Sequence, residues 1–330
     1  MTLQLLAVLV LAVIFDYING FHDTANAIAT SVATRALRPQ HAILMAASFN
    51  FIGAFAGTAV AQTIGSGLVN ETTTSQAIVM AALLGAIAWN LLTWRLGIPS
   101  SSSHALIGGL LGATILAAGM GSVKWSGVVG KVLVPLISSP VVGFIGAFCL
   151  MIALYWIFHW ANRRPLTRGF RRLQVLSAGY MAFAHGSNDA QKTMGIVTLA
   201  LYSAGVIPTV QVPIWVIVIA ASAISLGTAV GGWRIMRTMG RKVVELEPIH
   251  GFAAETTAAT VLLATAHLGM PVSTTHVISS AIMGVGSSKG PRGVRWGVAR
   301  SILIAWVVPL PATALAGALA WGALATLGIR

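Results

Sequence analysis

Eleven apolar runs leave this chain little to fold into except a helical bundle in a bilayer. They lie near residues 3 to 18, 41 to 62, 77 to 94, 104 to 118, 126 to 158, 173 to 184, 193 to 207, 213 to 232, 249 to 268, 271 to 285 and 298 to 328. A helix needs about 20 apolar residues to cross the hydrocarbon. Apolar residues make up 56% of the chain against 8% for Asp, Glu, Lys and Arg, a balance outside the soluble range. The expected fold class is therefore an all-α, polytopic integral membrane protein. A net charge of +13 would point a soluble chain toward nucleic acid. Here the basic residues gather in short loops, the positive-inside pattern of the cytoplasmic membrane, and no nucleic acid is expected. Cys149 is the sole cysteine and lies in an apolar run, which excludes disulfides and thiolate metal sites within the chain. The first run has no basic segment ahead of it and no small-residue cleavage site behind it, so it reads as a membrane helix and not as a cleaved signal.

Several of the runs are too short to span alone, among them the two that follow a proline-hydroxyl motif. "HALIGGLLGATILAA" follows "PSSSS", and "HVISSAIMGVG" follows "PVSTT". Re-entrant or broken helices are expected there, because irregular backbone is tolerated at membrane depth only where it lines a cavity.

The chain is also internally duplicated. "NGFHDTAN" (19 to 26) aligns with "HGSNDAQK" (185 to 192), "AASFNFIG" (46 to 53) with "AASAISLG" (220 to 227), and "GIPSSSSH" (97 to 104) with "GMPVSTTH" (269 to 276). The three matches keep their order at offsets of 166, 174 and 172 residues. Arg35 and Arg38 have no charged counterpart in "LYSAGV" (201 to 206), whereas residues 63 to 76 lack the basic charge that Arg234, Arg237, Arg241 and Lys242 give the matching loop. A third pair of loops, 120 to 131 and 289 to 300, is basic on both sides and discriminates less. Opposite basic bias at equivalent loops places the halves in opposite orientations, the inverted repeat of secondary transporters. The expected organisation is a first repeat over 1–161, a basic cytoplasmic linker over 162–172 ("NRRPLTRGFRR"), and a second repeat over 173–330.

Of seven acidic residues, Glu71, Glu245 and Glu247 belong to loops, which leaves Asp16, Asp23, Asp189 and Glu255 in or beside membrane segments. A carboxylate at the centre of a membrane helix costs about 2.5 to 3.5 kcal/mol on insertion scales, so each needs a reason to be there. Asp16, Asn19, Asp23, Asn26 and Thr30 recur at spacings of three and four, on one helical face. Gly20 among them weakens the helix and allows local unwinding. The equivalent face of the second half carries His185, Asp189 and Lys192; Lys192 replaces Asn26 and either pairs with Asp189 or meets an anion. A polar seam between helices is the structural alternative, but a seam needs amides and hydroxyls, not carboxylates.

Proline followed by hydroxyls is a helix start signal. A helix N-terminus at membrane depth offers free amides and a positive dipole end to an anion. Ordinary capping uses one or two hydroxyls, and Ser100 to Ser103 together with Ser273, Thr274 and Thr275 exceed that need. His104 and His276 close the two motifs as hydrogen-bond partners. No enzyme assembles from these parts: Ser103 and His104 are adjacent and diverge by about 100° on a helix, and the 35 glycines form no phosphate loop.

The paired "GFHDTANAIAT" and "GSNDAQKTMGI", with "GIPSSSSH" and "GMPVSTTH", resemble the signature motifs of the PiT family of inorganic phosphate transporters, its bacterial low-affinity members above all, over nearly the whole chain. The resemblance implies phosphate import coupled to a cation gradient by alternating access, in a homodimer of the cytoplasmic membrane, with no cofactor. It places phosphate between the helices after Pro99 and Pro271, on Ser101, Ser102, Ser103, Ser273, Thr274 and Thr275, with Asn26, Asn188 and Gln191 completing the shell. Asp23, Asp189, Glu255 and Asn50 fall at the cation-coupling positions, with a sodium ion at Asp23 and Asp189 as one form of that coupling, and His22, Thr24, Lys192, His104 and His276 in support. Two departures favour the proton. Asn50 stands where animal sodium-coupled members carry a glutamate, and His22 replaces the usual asparagine, an imidazole that suits either a proton role or plain hydrogen bonding. Bacterial relatives with this asparagine resemble proton symporters, some taking phosphate as a metal complex. A sulfate permease of the same family and a passive anion channel are the alternative readings, and a PhoU-like cytoplasmic accessory protein is a possible partner for the basic loops.

Overall fold

A computed structural model describes residues 2–232, 235–236 and 243–329; the loop charges Arg234, Arg237, Arg241 and Lys242 lie outside them. Among the described residues the chain is helical, with one isolated bridge, Val69 to Val123. The first half runs through α1 (Leu3–Ala33), α2 (Pro39–Gly53), α3 (Ala59–Gln62), α4 (Gln76–Leu96), α5 (Ser102–Ala118), α6 (Trp125–Gly127) and α7 (Val134–Ile157). The second follows with α8 (Arg163–Ser203), α9 (Ile214–Val230), α10 (Pro248–His267), α11 (Thr274–Ser287), α12 (Trp296–Val307) and α13 (Pro309–Thr326). Leu3–Ala33, Gln76–Leu96, Trp125–Ile157 and Trp296–Thr326 are long and apolar enough to cross a membrane. The helices after the proline motifs, α5 with 17 residues and α11 with 14, stop short of that length.

Three expectations about element boundaries change. The run from 41 to 62 is not one helix, because α2 ends at Gly53 and the chain turns before α3. The runs at 173 to 184 and 193 to 207, with the basic segment before them, form a single 41-residue helix, so the "NRRPLTRGFRR" arginines line the first turns of α8 and do not form an open loop. Nor does α1 unwind at Gly20. A Cβ there would stand 2.3 Å from the Ile224 carbonyl oxygen of α9, so the glycine is a point of helix contact.

Packing shows how the halves are oriented. One apolar core joins Leu5, Val8, Ala12 and Phe15 of early α1 with Met194, Ile196 and Leu199 of late α8. A second joins Ala25, Ile28 and Ala29 of late α1 with Phe170, Met181 and Ala182 of early α8. The two signature helices therefore run antiparallel, each crossing from one core to the other in the opposite sense. The polar residues 16 to 24 and 185 to 189 lie between the cores, in a buried belt. Partners are exchanged between halves as well: α1 packs on α9, α8 on α2, α5 on α13 and α11 on α7.

Outside the membrane segments, Lys124 reaches across to Glu71 at 2.7 Å and to the Ser66 carbonyl at 2.7 Å. Partial burial works against ionisation of Glu71, but the Lys124 ammonium outweighs it and holds the carboxyl below the usual glutamate value. A depressed folded pKa adds stability above the unfolded value of about 4.3 and loses it as pH falls through the folded value. Between about pH 5 and 8 this exposed clasp is expected to add no more than about 1 kcal/mol. Glu71→Gln should lower the melting temperature slightly at pH 7 and leave it unchanged at pH 3; an equal difference at both values would show that the clasp does not titrate.

Candidate functional site

The belt brings the two signature aspartates together. Coordinating atoms of Asp23, His185 and Asp189 all lie within 4.8 Å of one another, although 166 residues separate the aspartates in sequence. Asp23 Oδ1 meets His22 Nδ1 at 2.7 Å, and Ser102 Oγ donates to Asp23 Oδ2 at 3.1 Å. The far ring nitrogen of His22 meets Thr93 Oγ1 of α4 at 3.0 Å. Asp189 accepts a hydrogen bond from Lys192 Nζ, one turn along α8, and both side chains are fully buried. Thr24 donates to the Gly20 carbonyl at 2.6 Å, leaning α1 toward Thr228 of α9.

His185 is held by a chain whose donors can be assigned in order. Thr228 donates to the Ile224 carbonyl at 2.8 Å, so its oxygen accepts from Asn50 Nδ2 at 2.8 Å. Asn50 then presents Oδ1 to His185 Nδ1 at 3.1 Å, which places the ring proton on Nδ1. His185 Nε2 is left 3.3 Å from Asp189 Oδ2, close enough for charge but out of line for a hydrogen bond. A neutral ring would turn its lone pair on a carboxylate. A proton or cation between them removes that repulsion.

Of the seven hydroxyls of the proline motifs, Ser100 accepts from Trp89 Nε1 at 2.8 Å, and the other six divide by the symmetry of the repeat. Ser101 and Ser273 are N-caps, accepting from the amides of His104 at 3.2 Å and His276 at 3.3 Å. Ser103 and Thr275 tie the two helix ends together, donating at 3.1 Å to the Val272 and Ser100 carbonyls respectively. His104 and His276 meet edge to face at the same junction, ring centroids 4.8 Å apart. That leaves Ser102 and Thr274 turned toward α1, the first on Asp23 and the second accepting from Asn26 Nδ2 at 3.2 Å, with Thr275 accepting from the same nitrogen at 2.9 Å.

Among the described residues the Asn188 amide and Asn26 Oδ1 have no protein partner, and Asp16, Thr193 and Asn19 reach only one another. Asn188 and Asn26 Oδ1 therefore keep hydrogen-bonding capacity for water or a ligand. Two expected site residues are engaged elsewhere. Gln191 Oε1 accepts from the amide of Val60 at 2.8 Å and its Nε2 donates to the Ser187 carbonyl, which fastens the start of α3. Glu255 accepts from Thr30, Ser177 and Gln174, apart from the aspartate pair. Thr228 is a contributor that the motifs do not single out, whereas His185 lies on the Asp189 face already marked by the repeat. His185 occupies the place of Asn19 in the repeat, and that substitution of imidazole for amide is the signal it leaves in the sequence.

The chain is similar to known proteins in both sequence and fold. A profile of the Phosphate transporter family matches residues 19–317. A probable low-affinity inorganic phosphate transporter of Bacillus subtilis (strain 168) is 47% identical over 317 residues, 95% of each chain. A putative phosphate permease of Pyrococcus abyssi (strain GE5 / Orsay) is 30% identical over 98% of each. The solved structure of a sodium-dependent phosphate transporter superposes with a TM-score of 0.89 at 27% identity, covering 99% of this chain and all of that one.

Proposed function

This chain belongs to the phosphate transporter family, and on that premise we propose that it imports inorganic phosphate by symport with a proton, through alternating access of its two inverted repeats. It is a multi-pass cell-membrane transporter and not an enzyme. The observation that carries the proton is the lone-pair face of His185 set against Asp189, with Asn50 fixing the ring. Sodium prefers a shell of oxygens, and here one of the three nearest donors is an imidazole nitrogen and one carboxylate is already paired with an ammonium. Phosphate is assigned to the helix N-termini of α5 and α11, with Ser102, Thr274, Asn26 and Asn188 around it and the amides and dipole ends favouring its charge. Asp23 accepts a hydrogen bond from the phosphate oxygen that carries a proton at neutral pH. Sulfate has none to give, and would leave that buried acceptor unpaired. The carboxylates repel a bare dianion, so the anion enters with its cation. Assembly as a homodimer is part of the same reading. So is docking of a PhoU-like cytoplasmic protein on the exposed arginines Arg163, Arg164, Arg168, Arg171 and Arg172.

Labelled phosphate uptake into proteoliposomes, with proton, sodium and divalent-metal gradients imposed one at a time, tests this directly. An inward proton gradient is expected to drive uptake, and excess sulfate should not compete. Stimulation by divalent metal on top of the proton gradient would identify a metal-phosphate complex as the species carried. Uptake indifferent to every gradient would mean a passive channel, and competition by sulfate would mean a sulfate carrier.

A further inference from the structure

Lys192 is among the largest side chains in the protein with no exposed surface. The first repeat manages the equivalent position with a neutral amide, Asn26, which serves Thr274 and Thr275. An ammonium inside a membrane bundle is retained only where something answers its charge. The surroundings contain more than enough: Asp189 accepts its hydrogen bond, and Asp16, beside the neutral side chains of Thr193 and Asn19, faces both Lys192 and Asp189. Together with Asp23, three buried carboxylates share one belt with this single ammonium, with His22 beside Asp23 and His185 beside Asp189. Without Lys192 the belt would keep the Asp189 carboxylate it now pairs and the Asp16 carboxylate that faces it, the latter beside the Thr193 hydroxyl and the Asn19 amide. A set of hard oxygens with excess negative charge is a site for an alkali cation.

We infer that Lys192 is a tethered cation that stands in for a bound sodium ion, and that this fixed charge is why the transporter works without sodium. The inference rests on the proton-coupled reading above. An ammonium and a sodium ion carry the same charge, but the ammonium cannot be released to either side, so it neutralises Asp189 without contributing an ion to the transport stoichiometry. Lys192 is thereby the residue that decides which cation the site accepts.

The test compares the wild type with Lys192→Asn, the amide of the first repeat, and with Lys192→Gln as a second variant. The readouts are thermal unfolding of purified protein in detergent and phosphate uptake in proteoliposomes, each in sodium chloride against choline chloride at equal ionic strength. The wild type should show no sodium-specific change in either. The variants should gain a sodium-specific stabilisation on the order of 2 °C or more, and any uptake they retain should rise with sodium, about tenfold where one carboxylate charge is answered. Folded variants with no sodium response overturn the inference, as does a wild type that is itself stabilised or driven by sodium. If neither variant folds, the wild-type arm decides alone. Should the wild type carry no phosphate under any gradient, the transport reading fails, but the unfolding measurement still decides the role of Lys192.

Discussion

Phosphate uptake by Asp23→Asn and Asp189→Asn proteins, reconstituted at matched density, is expected to fall on the order of a hundredfold below the wild type. Each substitution keeps the shape of the side chain and removes its charge. Truncating one partner of a buried hydrogen-bonded charge pair forfeits about 2 to 5 kcal/mol, and about 1.4 kcal/mol is a factor of ten. The two losses differ in kind. In Asp23→Asn the new amide can still accept from Ser102 through its carbonyl, so that protein should fold normally and fail at coupling. Asp189→Asn strands a fully buried ammonium, so it should also lower the melting temperature. The double variant Asp189→Asn with Lys192→Gln removes both charges, and should recover stability but not uptake. Uptake at wild-type rate by either single variant, in protein that elutes as a monodisperse particle, would sink the assignment of these aspartates.

How far the site can be read without coordinates depends on whether a residue's partner is local. Asp23 and Asp189 are legible because a carboxylate in an apolar run demands explanation and because the repeat shows it twice. The hydroxyl runs are legible as helix starts, but the division among them is not. Ser103 and Thr275 are spent on each other's helix ends, an arrangement fixed only when the two halves meet. Gly20 reads as a hinge for the same reason, since its contact, Ile224, lies on another helix in the other repeat. His185 needs Asn50 and Thr228, neither near it in sequence, before its ring can be oriented. Gln191 is the instructive exception. It stands two residues past Asp189, about 200° around the helix, so helical geometry alone places it on a different face, where it fastens α3. Polarity marks which residues have work to do; direction, set by the helix and its neighbours, decides where.

The crossings that hold the repeats together should tolerate even less change than the site does. Gly20 and Gly186 occupy equivalent places in the two signature helices, and a Cβ on them would lie 2.3 Å from the Ile224 carbonyl oxygen and 2.2 Å from that of Asn50. Gly53 and Gly227 return the contact, at 2.1 Å from the Phe183 oxygen and 2.0 Å from the Tyr17 oxygen. The Cβ is fixed by its own backbone and the atom it meets is a backbone oxygen, so no rotamer change can absorb the clash, and the helices must separate. Overpacking of a close interface costs about 1 to 3 kcal/mol and sometimes more, and between membrane helices there is little hydrophobic driving force to offset it. Gly20→Ala and Gly186→Ala are therefore expected to reduce the yield of folded protein severely, and Gly20→Val to abolish it. Where Gly186→Ala protein survives, uptake should drop as well, because moving Asn50 releases the ring of His185 from its fixed orientation toward Asp189. Gly169→Ala is the control: it sits in the same helix with nothing within 4 Å of its Cβ, and alanine there should be neutral or stabilising by up to about 1 kcal/mol. Monodisperse recovery from detergent separates the cases. Equal recovery of Gly186→Ala and Gly169→Ala would mean that the close crossing of α8 and α2 does not hold the repeats together.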